Sequence, residues 1–201
     1  MTAEAVLYLA SQSPRRRELL TQIDVAHRAL KIDIDESRRV DESAEQYVQR
    51  LAREKAAAGW QHLHDAALPP LPVLGADTAV VLDDIILGKP TDADDARAIL
   101  QRLAGRAHEV LTGVAVCGTD GVQVTMSRTR VWFRPLSAAE IDAYWLTGEP
   151  RDKAGAYGIQ GRAAVFVERI EGSYSGVVGL PLFETAEQLR RYGIGEGYIK
   201  K

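Results

Sequence analysis

The chain of 201 residues contains a single cysteine, Cys117. One thiol cannot form an intrachain disulfide, and a cysteine-rich zinc site is excluded as well. No stretch approaches the roughly 20 apolar residues that are needed to span a bilayer. The first residues, MTAEAVLYLA, lack the cationic start of a signal peptide. We therefore expect a soluble cytoplasmic protein with no membrane partner.

The chain also lacks a large excess of charge of either sign. It contains 25 Lys and Arg residues and 28 Asp and Glu residues, which gives a net charge of −3. This balance argues against a general nucleic-acid-binding surface, so any basic site must be local. The hydrophobic fraction of 46% is ordinary for a globular protein. The length suits one α/β domain or two small lobes.

Several common catalytic motifs are absent too. The chain has no Walker A spacing, no H-E-x-x-H, no G-x-S-x-G and no G-x-G-x-x-G entering a helix. The four histidines show no ligand spacing beyond the H-x-H of His62 and His64, which we place at the exposed end of a helix. Cys117 lies in an apolar strand and is interpreted as a core residue.

Strands and helices alternate along the chain, with a hairpin of two long strands in the middle. Pro14 suits the start of a helix, and Ser43 opens a capping box for a second helix that reaches about His62. The stretch PVLGADTAVVL predicts a strand interrupted at Gly75, and AAVFVERIEG predicts a late strand. This order predicts an α/β fold with a mixed sheet, flanking helices and two lobes around a central cleft, in one domain over residues 1–201.

Three arginines, Arg15, Arg16 and Arg17, occupy the first turn of the helix that begins at Pro14. Positive charge has the wrong sign there, because the N-terminal end of a helix is itself partly positive. Ser13 can cap this helix, and Arg17 is expected to lean outward. The turn is either a solvated basic surface or a phosphate site, where backbone N–H groups and arginine forks converge on an anion.

Other charged residues also stand where a core is expected. Lys55 falls on the apolar face of the second helix, so its amine either reaches water or needs an anionic partner in a cleft. Asp77 follows Gly75 in an apolar strand, where it either caps a turn or faces a cleft and binds a divalent cation or water. The loop DIDE, which contains Glu36, is either a solvated turn or part of a magnesium site.

Two glycine-containing segments carry further polar residues. Lys89 stands between a glycine and a proline in ILGKP, on a rigid bend. The segment GEPRDKAGAYGIQGRAA holds Asp152, Lys153, Gln160 and Arg162 among its glycines. Residue chemistry alone therefore predicts an α/β protein with a local anion site and carboxylates that could hold a metal.

In combination, these segments resemble the Maf family of nucleotide pyrophosphatases. The resemblance covers nearly the whole chain in order, and each segment is only modestly specific by itself. The matching segments are LASQSPRRRELL, DIDE, LAREKA, GADTAVV, GKPTDADDARAILQRLAGRAHEVLTGVAV, GEPRDKAGAYGIQGRAA and GSYSGVVGLPL.

The resemblance implies an α/β enzyme of the Maf and inosine-triphosphatase type that hydrolyses a nucleoside triphosphate to its monophosphate and pyrophosphate. It also implies a divalent metal, Mg²⁺ or Mn²⁺, and a homodimer. For the residues that match the family's motifs, the resemblance implies roles as catalytic groups (Asp77, Glu36, Lys55), as metal ligands (Glu36, Asp77) and as substrate-binding groups (Ser11, Arg15, Arg16, Thr78, Lys89, Lys153, Gln160). The triphosphate is then the anion that the arginine-rich helix start lacks.

Two branches of the family differ at three of these positions. The branch that resembles 7-methyl-GTP pyrophosphatases tends to have tryptophan, glutamine and glutamate where this chain has Arg15, Thr78 and Gln160. The neutral amide of Gln160 can donate and accept, which suits the imide edge of uracil or thymine. The resemblance therefore implies dTTP and UTP, and modified uridine triphosphates as further candidates, in a house-cleaning or division-linked role.

Two other functions are alternatives to an enzymatic one. The first is a non-catalytic, nucleotide-binding regulator of septum formation or cell division, a role that has long been attached to this family. Binding alone does not need Asp77, Glu36, Lys55 and the arginines together, which favours catalysis. The second is nucleic-acid binding, which the acidic balance disfavours.

Overall fold

A computed structural model describes residues 4–195, which form one mixed sheet with helices on both faces. The sheet order is β2-β1-β3-β5-β6-β7, and β4 pairs with β3. Strands β1 and β2 are parallel to each other, β1 is parallel to β3, and the other pairs are antiparallel. The strands are β1 (Leu7–Leu9), β2 (His27–Ala29), β3 (Val73–Leu82), β4 (Ile85–Leu87), β5 (Ala107–Gly118), β6 (Gly121–Phe133) and β7 (Val167–Glu171).

Six α-helices and three 3₁₀ turns complete the described part of the chain. The helices are α1 (Pro14–Gln22), α2 (Ala44–Asp65), α3 (Ala93–Leu103), α4 (Ala138–Leu146), α5 (Tyr174–Val178) and α6 (Leu182–Arg190). The 3₁₀ turns are Glu149–Asp152, Ala154–Ala156 and Arg162–Phe166. Within residues 4–195, none of these helices combines the length and the apolar character needed to cross a membrane.

The two faces of the sheet are covered differently. Helix α2 packs on one face, while α1, α3, α4 and α6 enclose the main core on the other. Two glycines let α2 come unusually close to the strands. A Cβ atom at Gly75 would lie 2.4 Å from the carbonyl oxygen of Ala52, and one at Gly113 would lie 2.4 Å from that of Val48. Such contacts are too short for any side chain, so these glycines set the distance between helix and sheet.

Strand β3 is left unpaired along part of one edge, and this gap positions the cleft described below. On that edge β1 pairs with β3 only as far as Leu74, and β4 begins to pair at Val80. Alternate residues of a strand point to opposite faces. At the gap, Asp77 on the α2 face and Thr78 on the opposite face both border the same opening.

The α/β fold with a mixed sheet and flanking helices confirms the prediction, whereas the two lobes and the single-domain extent stay predictions. Residues 1–3 and 196–201 lie outside the described part.

Three local predictions were wrong. Strand β3 continues through Gly75, because this glycine is needed for the approach of α2 and not for a turn. Ser13 makes no side-chain cap. Residues 162–166 form a 3₁₀ turn, so the late strand begins at Val167.

A buried histidine makes the stability of the core depend on pH. His108 is 2% exposed, and its Nε2 lies 2.9 Å from the hydroxyl of Tyr157, while Phe133 packs edge-on against its ring. Burial lowers the pKa of His108 to about 4 from an ordinary value of 6.5. The unfolded chain therefore takes up a proton first as the pH falls, and the folded state loses stability between about pH 6.5 and 4.

We expect the free energy of unfolding to fall by up to about 3 kcal/mol across that interval because of His108. The variant His108→Gln, whose amide does not titrate, should show a flatter dependence there. Urea unfolding at a series of pH values measures both slopes. Equal slopes in the two proteins would contradict the assignment to His108.

Candidate active site

All of the predicted site residues line one cleft of about 860 Å³ beside the open edge of β3. The structure leaves none of them elsewhere, and their catalytic and binding roles stay predictions. They are Ser11, Arg15 and Arg16 around the start of α1, Glu36 in the loop before α2, Lys55 on α2, Asp77 and Thr78 on β3, Lys89 after β4, and Lys153 and Gln160 in the segment between α4 and β7.

A lysine joins two carboxylates at the base of the cleft. The Lys55 amine is 2.6 Å from Oε1 of Glu36 and 2.8 Å from Oδ1 of Asp77. Lys55 and Asp77 are both 9% exposed. Within residues 4–195, Oδ2 of Asp77 has no hydrogen-bond partner, so this oxygen is available to a ligand or to water. The anionic partner that Lys55 was expected to need is therefore supplied by the protein itself.

The surrounding cations keep the carboxylate of Glu36 ionised. Burial alone would raise the pKa of Glu36, but the hydrogen bond from Lys55 and the charges of Lys55, Lys89 and Arg16 lower it below its ordinary value. Burial also lowers the pKa of Arg16, against the opposing charges of Asp77 and Glu36. Because a guanidinium stays protonated in proteins, Arg16 remains a cation, and the lowered pKa of Glu36 keeps that carboxylate an anion at neutral pH.

Arg16 connects the start of α1 to three other parts of the cleft. Its Nε donates to the carbonyl of Gly179 at 2.8 Å, and its two terminal nitrogens donate to the hydroxyls of Ser11 and Thr78, each at 3.2 Å. Ser11 Oγ also accepts the backbone N–H of Ser13 at 3.2 Å. The side chain is therefore held in one position at the partly positive end of α1, where an anion is favoured.

Arg15 and Lys153 both pair with the carboxylate of Asp152. Arg15 lies 2.6 Å and Lys153 lies 2.7 Å from the side chain of Asp152, which is 64% exposed. An ion pair with so exposed a carboxylate is weak in water. A multiply charged anion can therefore displace Asp152 from both cations. Arg17 is exposed, as expected, and takes no part in this arrangement.

Hydrogen bonds to Glu149 hold the glycine-rich loop around Gln160 in place. The sequence did not predict a role for this residue. Its Oε1 accepts the hydroxyl of Tyr144 at 2.7 Å, and that hydroxyl accepts the N–H of Gly158 at 3.1 Å. Oε2 of Glu149 accepts the N–H of Arg162 at 2.9 Å. The Arg162 end of the loop is thus bound directly to Glu149 and the Gly158 end is bound to it through Tyr144. The only sequence signal for this role is the acidic residue itself in GEPRDKAG.

A second unforeseen group holds the loop that carries Glu36. Arg50 on α2 pairs with Glu42 at 2.5 Å and donates to the carbonyl of Ser37 at 3.0 Å. The hydroxyl of Tyr47 donates to the carbonyl of Glu36 at 3.0 Å. The hydrogen bond from Arg50 lowers the pKa of Glu42 to about 2, so this ion pair persists through the neutral range. The apparently solvated loop is therefore anchored next to Lys55.

The remaining predicted residues differ in how firmly they are held. Lys89 and Gln160 are exposed, and within residues 4–195 their side chains make no hydrogen bond, which leaves both free to contact a ligand.

Residues 4–195 contain no cluster of three or more His, Cys, Asp or Glu residues that could hold a metal ion. Two carboxylates, Glu36 and Asp77, are the available donors. This set suits a cation such as Mg²⁺ that completes its ligands with substrate phosphates and water.

Comparison with known proteins identifies the family. A family model described as Maf-like protein matches residues 6–192. The chain is 54% identical to a dTTP/UTP pyrophosphatase of Chromobacterium violaceum, over 96% of this chain and 97% of the relative. It is 55% identical to a protein of the same name from Hahella chejuensis, over 94% and 92% of the two chains.

A solved structure of the Staphylococcus aureus Ham1 protein is a distant likeness, with 13% identity, a TM-score of 0.45 and coverage of 63% of this chain and 71% of that one. This likeness is too slight to bear on activity. The family match and the close relatives extend over almost the entire chain. The chain therefore belongs to the Maf family.

Proposed function

We propose that this protein hydrolyses the pyrimidine nucleoside triphosphates dTTP and UTP to the monophosphate and pyrophosphate. The observation that carries the proposal is the cleft itself, in which arginines and lysines surround the paired carboxylates Glu36 and Asp77. A triphosphate needs such cations, and its hydrolysis needs a carboxylate that can act on water. The close relatives that bear the name dTTP/UTP pyrophosphatase support this substrate class.

The cations of the cleft neutralise the phosphate chain. Arg16 lies fixed at the start of α1, while Arg15 and Lys153 are available once the anion replaces Asp152. Lys89 is exposed and unpaired among the described residues. These groups stabilise the negative charge that develops on the pyrophosphate as it leaves, which is the main contribution a protein can make to phosphoryl transfer.

Asp77 acts on the attacking water. One oxygen of its carboxylate is held by Lys55, and the other is available to accept a proton. As the water oxygen bonds to phosphorus, the anhydride bond on the opposite side breaks and the water proton passes to Asp77. Glu36 is the second carboxylate, and Lys55 keeps both in position. Glu36 and Asp77 are also the residues that would hold Mg²⁺ or Mn²⁺, which supplies further neutralisation of phosphate charge when bound.

Two neutral polar side chains of the cleft select the base. Gln160 and Thr78 both line the cleft, and Gln160 lies in the loop that Glu149 fastens. A neutral amide and a hydroxyl can satisfy the imide edge of thymine or uracil. A base that covers these groups and leaves them unpaired is penalised by roughly 1–3 kcal/mol for each group. The thymine methyl adds little, so dTTP and UTP should be used at similar rates.

A panel of triphosphates tests this function. We expect kcat/KM for dTTP and UTP to exceed the values for GTP, 7-methyl-GTP and ATP by at least about tenfold. Gln160→Glu should reduce this preference, because a carboxylate cannot donate to a base carbonyl. Gln101→Glu, on the exposed face of α3, is the matched control and should leave the preference unchanged.

Two results would correct the proposal in different ways. If GTP or 7-methyl-GTP leads the panel, the assignment to the pyrimidine branch is wrong although the pyrophosphatase activity stands. If Gln160→Glu leaves the preference as it was, Gln160 is a structural residue of its loop. The homodimer, the cytoplasmic location, the absence of nucleic-acid partners and any role in septum formation stay predictions.

A further inference from the structure

Thr112, which has no assigned role, is buried beside Thr78. It is 1% exposed and lies on β5 directly opposite Thr78 of β3. Its hydroxyl oxygen is 2.8 Å from the carbonyl oxygen of Gly176 and 3.0 Å from the hydroxyl oxygen of Thr78. A threonine hydroxyl has one proton and can donate it to only one of these neighbours. The choice decides which hydrogen-bonding groups Thr78 can offer to the cleft.

The carbonyl of Gly176 requires this proton. The backbone amides of Gly179 and Leu180, which could reach it along the chain, both donate to the carbonyl of Ser175. The next residue, Pro181, has no N–H. Gly176 is buried, and a buried carbonyl without a donor is costly. Thr112 therefore donates to Gly176, over the shorter of its two contacts.

The contact between the two threonines must then use the proton of Thr78, which is donated to the oxygen of Thr112. The oxygen of Thr78 also accepts a hydrogen bond from Arg16 at 3.2 Å. A hydroxyl has one proton and two acceptor positions. Thr78 lines the cleft and is left with a single free acceptor position and no proton to donate.

We propose that Thr112 is a positioning residue for substrate selection, because it fixes Thr78 as a hydrogen-bond acceptor towards the base. An acceptor matches a pyrimidine whose ring N3 carries a proton, as in uracil and thymine. Cytosine has a bare acceptor nitrogen at N3, and two facing acceptors leave each other unpaired. This inference rests on the proposed function and adds a reason for preferring UTP over CTP.

The test compares UTP with CTP in the unmodified protein, Thr112→Val and Thr112→Ser. Valine keeps the volume but removes the hydroxyl, which releases the proton of Thr78 for donation to cytosine N3. We expect the ratio of kcat/KM for UTP to that for CTP to fall about tenfold in Thr112→Val and to change less than about threefold in Thr112→Ser. Loss of folded protein lowers both rates equally and leaves the ratio unchanged.

Thr112→Ala removes the hydroxyl without crowding the core and replaces the valine variant if that protein does not fold. An unchanged ratio in the variants without a hydroxyl, or an equal shift in Thr112→Ser, would overturn the inference. If the unmodified protein hydrolyses neither nucleotide, the proposed function fails, and the relative binding affinities for UTP and CTP in the same variants then decide the role of Thr112.

Discussion

Replacing Asp77 by asparagine should abolish most of the hydrolysis of dTTP while leaving its binding nearly intact. An asparagine side chain would still fit beside Lys55 and could accept its hydrogen bond through the amide oxygen, so the cleft keeps its shape. An amide cannot take the proton of the attacking water. We expect kcat to fall by about 10² to 10⁴-fold with a KM within a few-fold of the original, because the lost interaction belongs to the transition state.

Asp35→Asn is the matched control for this substitution. Asp35 lies in the loop that carries Glu36, is exposed, and accepts the backbone N–H of Ser37 at 2.9 Å, a bond that asparagine can retain. It should change kcat by no more than a few-fold. Steady-state kinetics with a thermal melt of each protein separates catalysis from stability. Near-normal turnover in Asp77→Asn would remove Asp77 from the catalytic role.

The second large effect is expected at Gly75, where a single added methyl group should disrupt the contact between α2 and the sheet. The new Cβ would lie 2.4 Å from the carbonyl oxygen of Ala52 and 2.6 Å from the amide nitrogen of Ala56. Both are backbone atoms of a helix and cannot move alone. We expect Gly75→Ala to lower the free energy of unfolding by about 1–3 kcal/mol or more. Activity should fall as well, because a shifted α2 carries Lys55 away from Asp77.

Gly88→Ala provides the control, since a Cβ atom at Gly88 would meet no atom within 4 Å. Its free energy of unfolding should stay within about 0.5 kcal/mol of the unmodified protein. Denaturant unfolding measures both variants. If Gly75→Ala is as stable and as active as the unmodified protein, the close approach of α2 is not what positions Lys55.

The parts of the fold that follow from local rules could be predicted from the sequence. The capping box at Ser43 is present with both of its hydrogen bonds, and α2 begins at the next residue. The hairpin of β5 and β6 turns where its glycines indicate. Ser13 shows the limit of such rules, because the neighbouring Ser11 accepts its N–H and its side chain does not cap α1.

The residues around the cleft could be named from the resemblance, but their contacts could not be obtained from local pattern. Lys55 and Asp77 are 22 residues apart in sequence and meet because a glycine allows α2 to approach β3. Thr112 and Gly176 are 64 residues apart, and neither stands out from its neighbours in type. Such residues act through partners that only tertiary packing brings together, so the sequence alone does not predict the roles of Thr112 and Glu149.

The central claim is that the paired carboxylates and the cations of this cleft hydrolyse a pyrimidine nucleoside triphosphate with release of pyrophosphate. Phosphorus NMR of the purified protein with dTTP and Mg²⁺, run beside Asp77→Asn, tests it most directly. The expected result is equimolar dTMP and pyrophosphate from the unmodified protein, and residual dTTP in the variant. Release of inorganic phosphate with dTDP, or binding of dTTP with no release of pyrophosphate under Mg²⁺ or Mn²⁺, would contradict the claim.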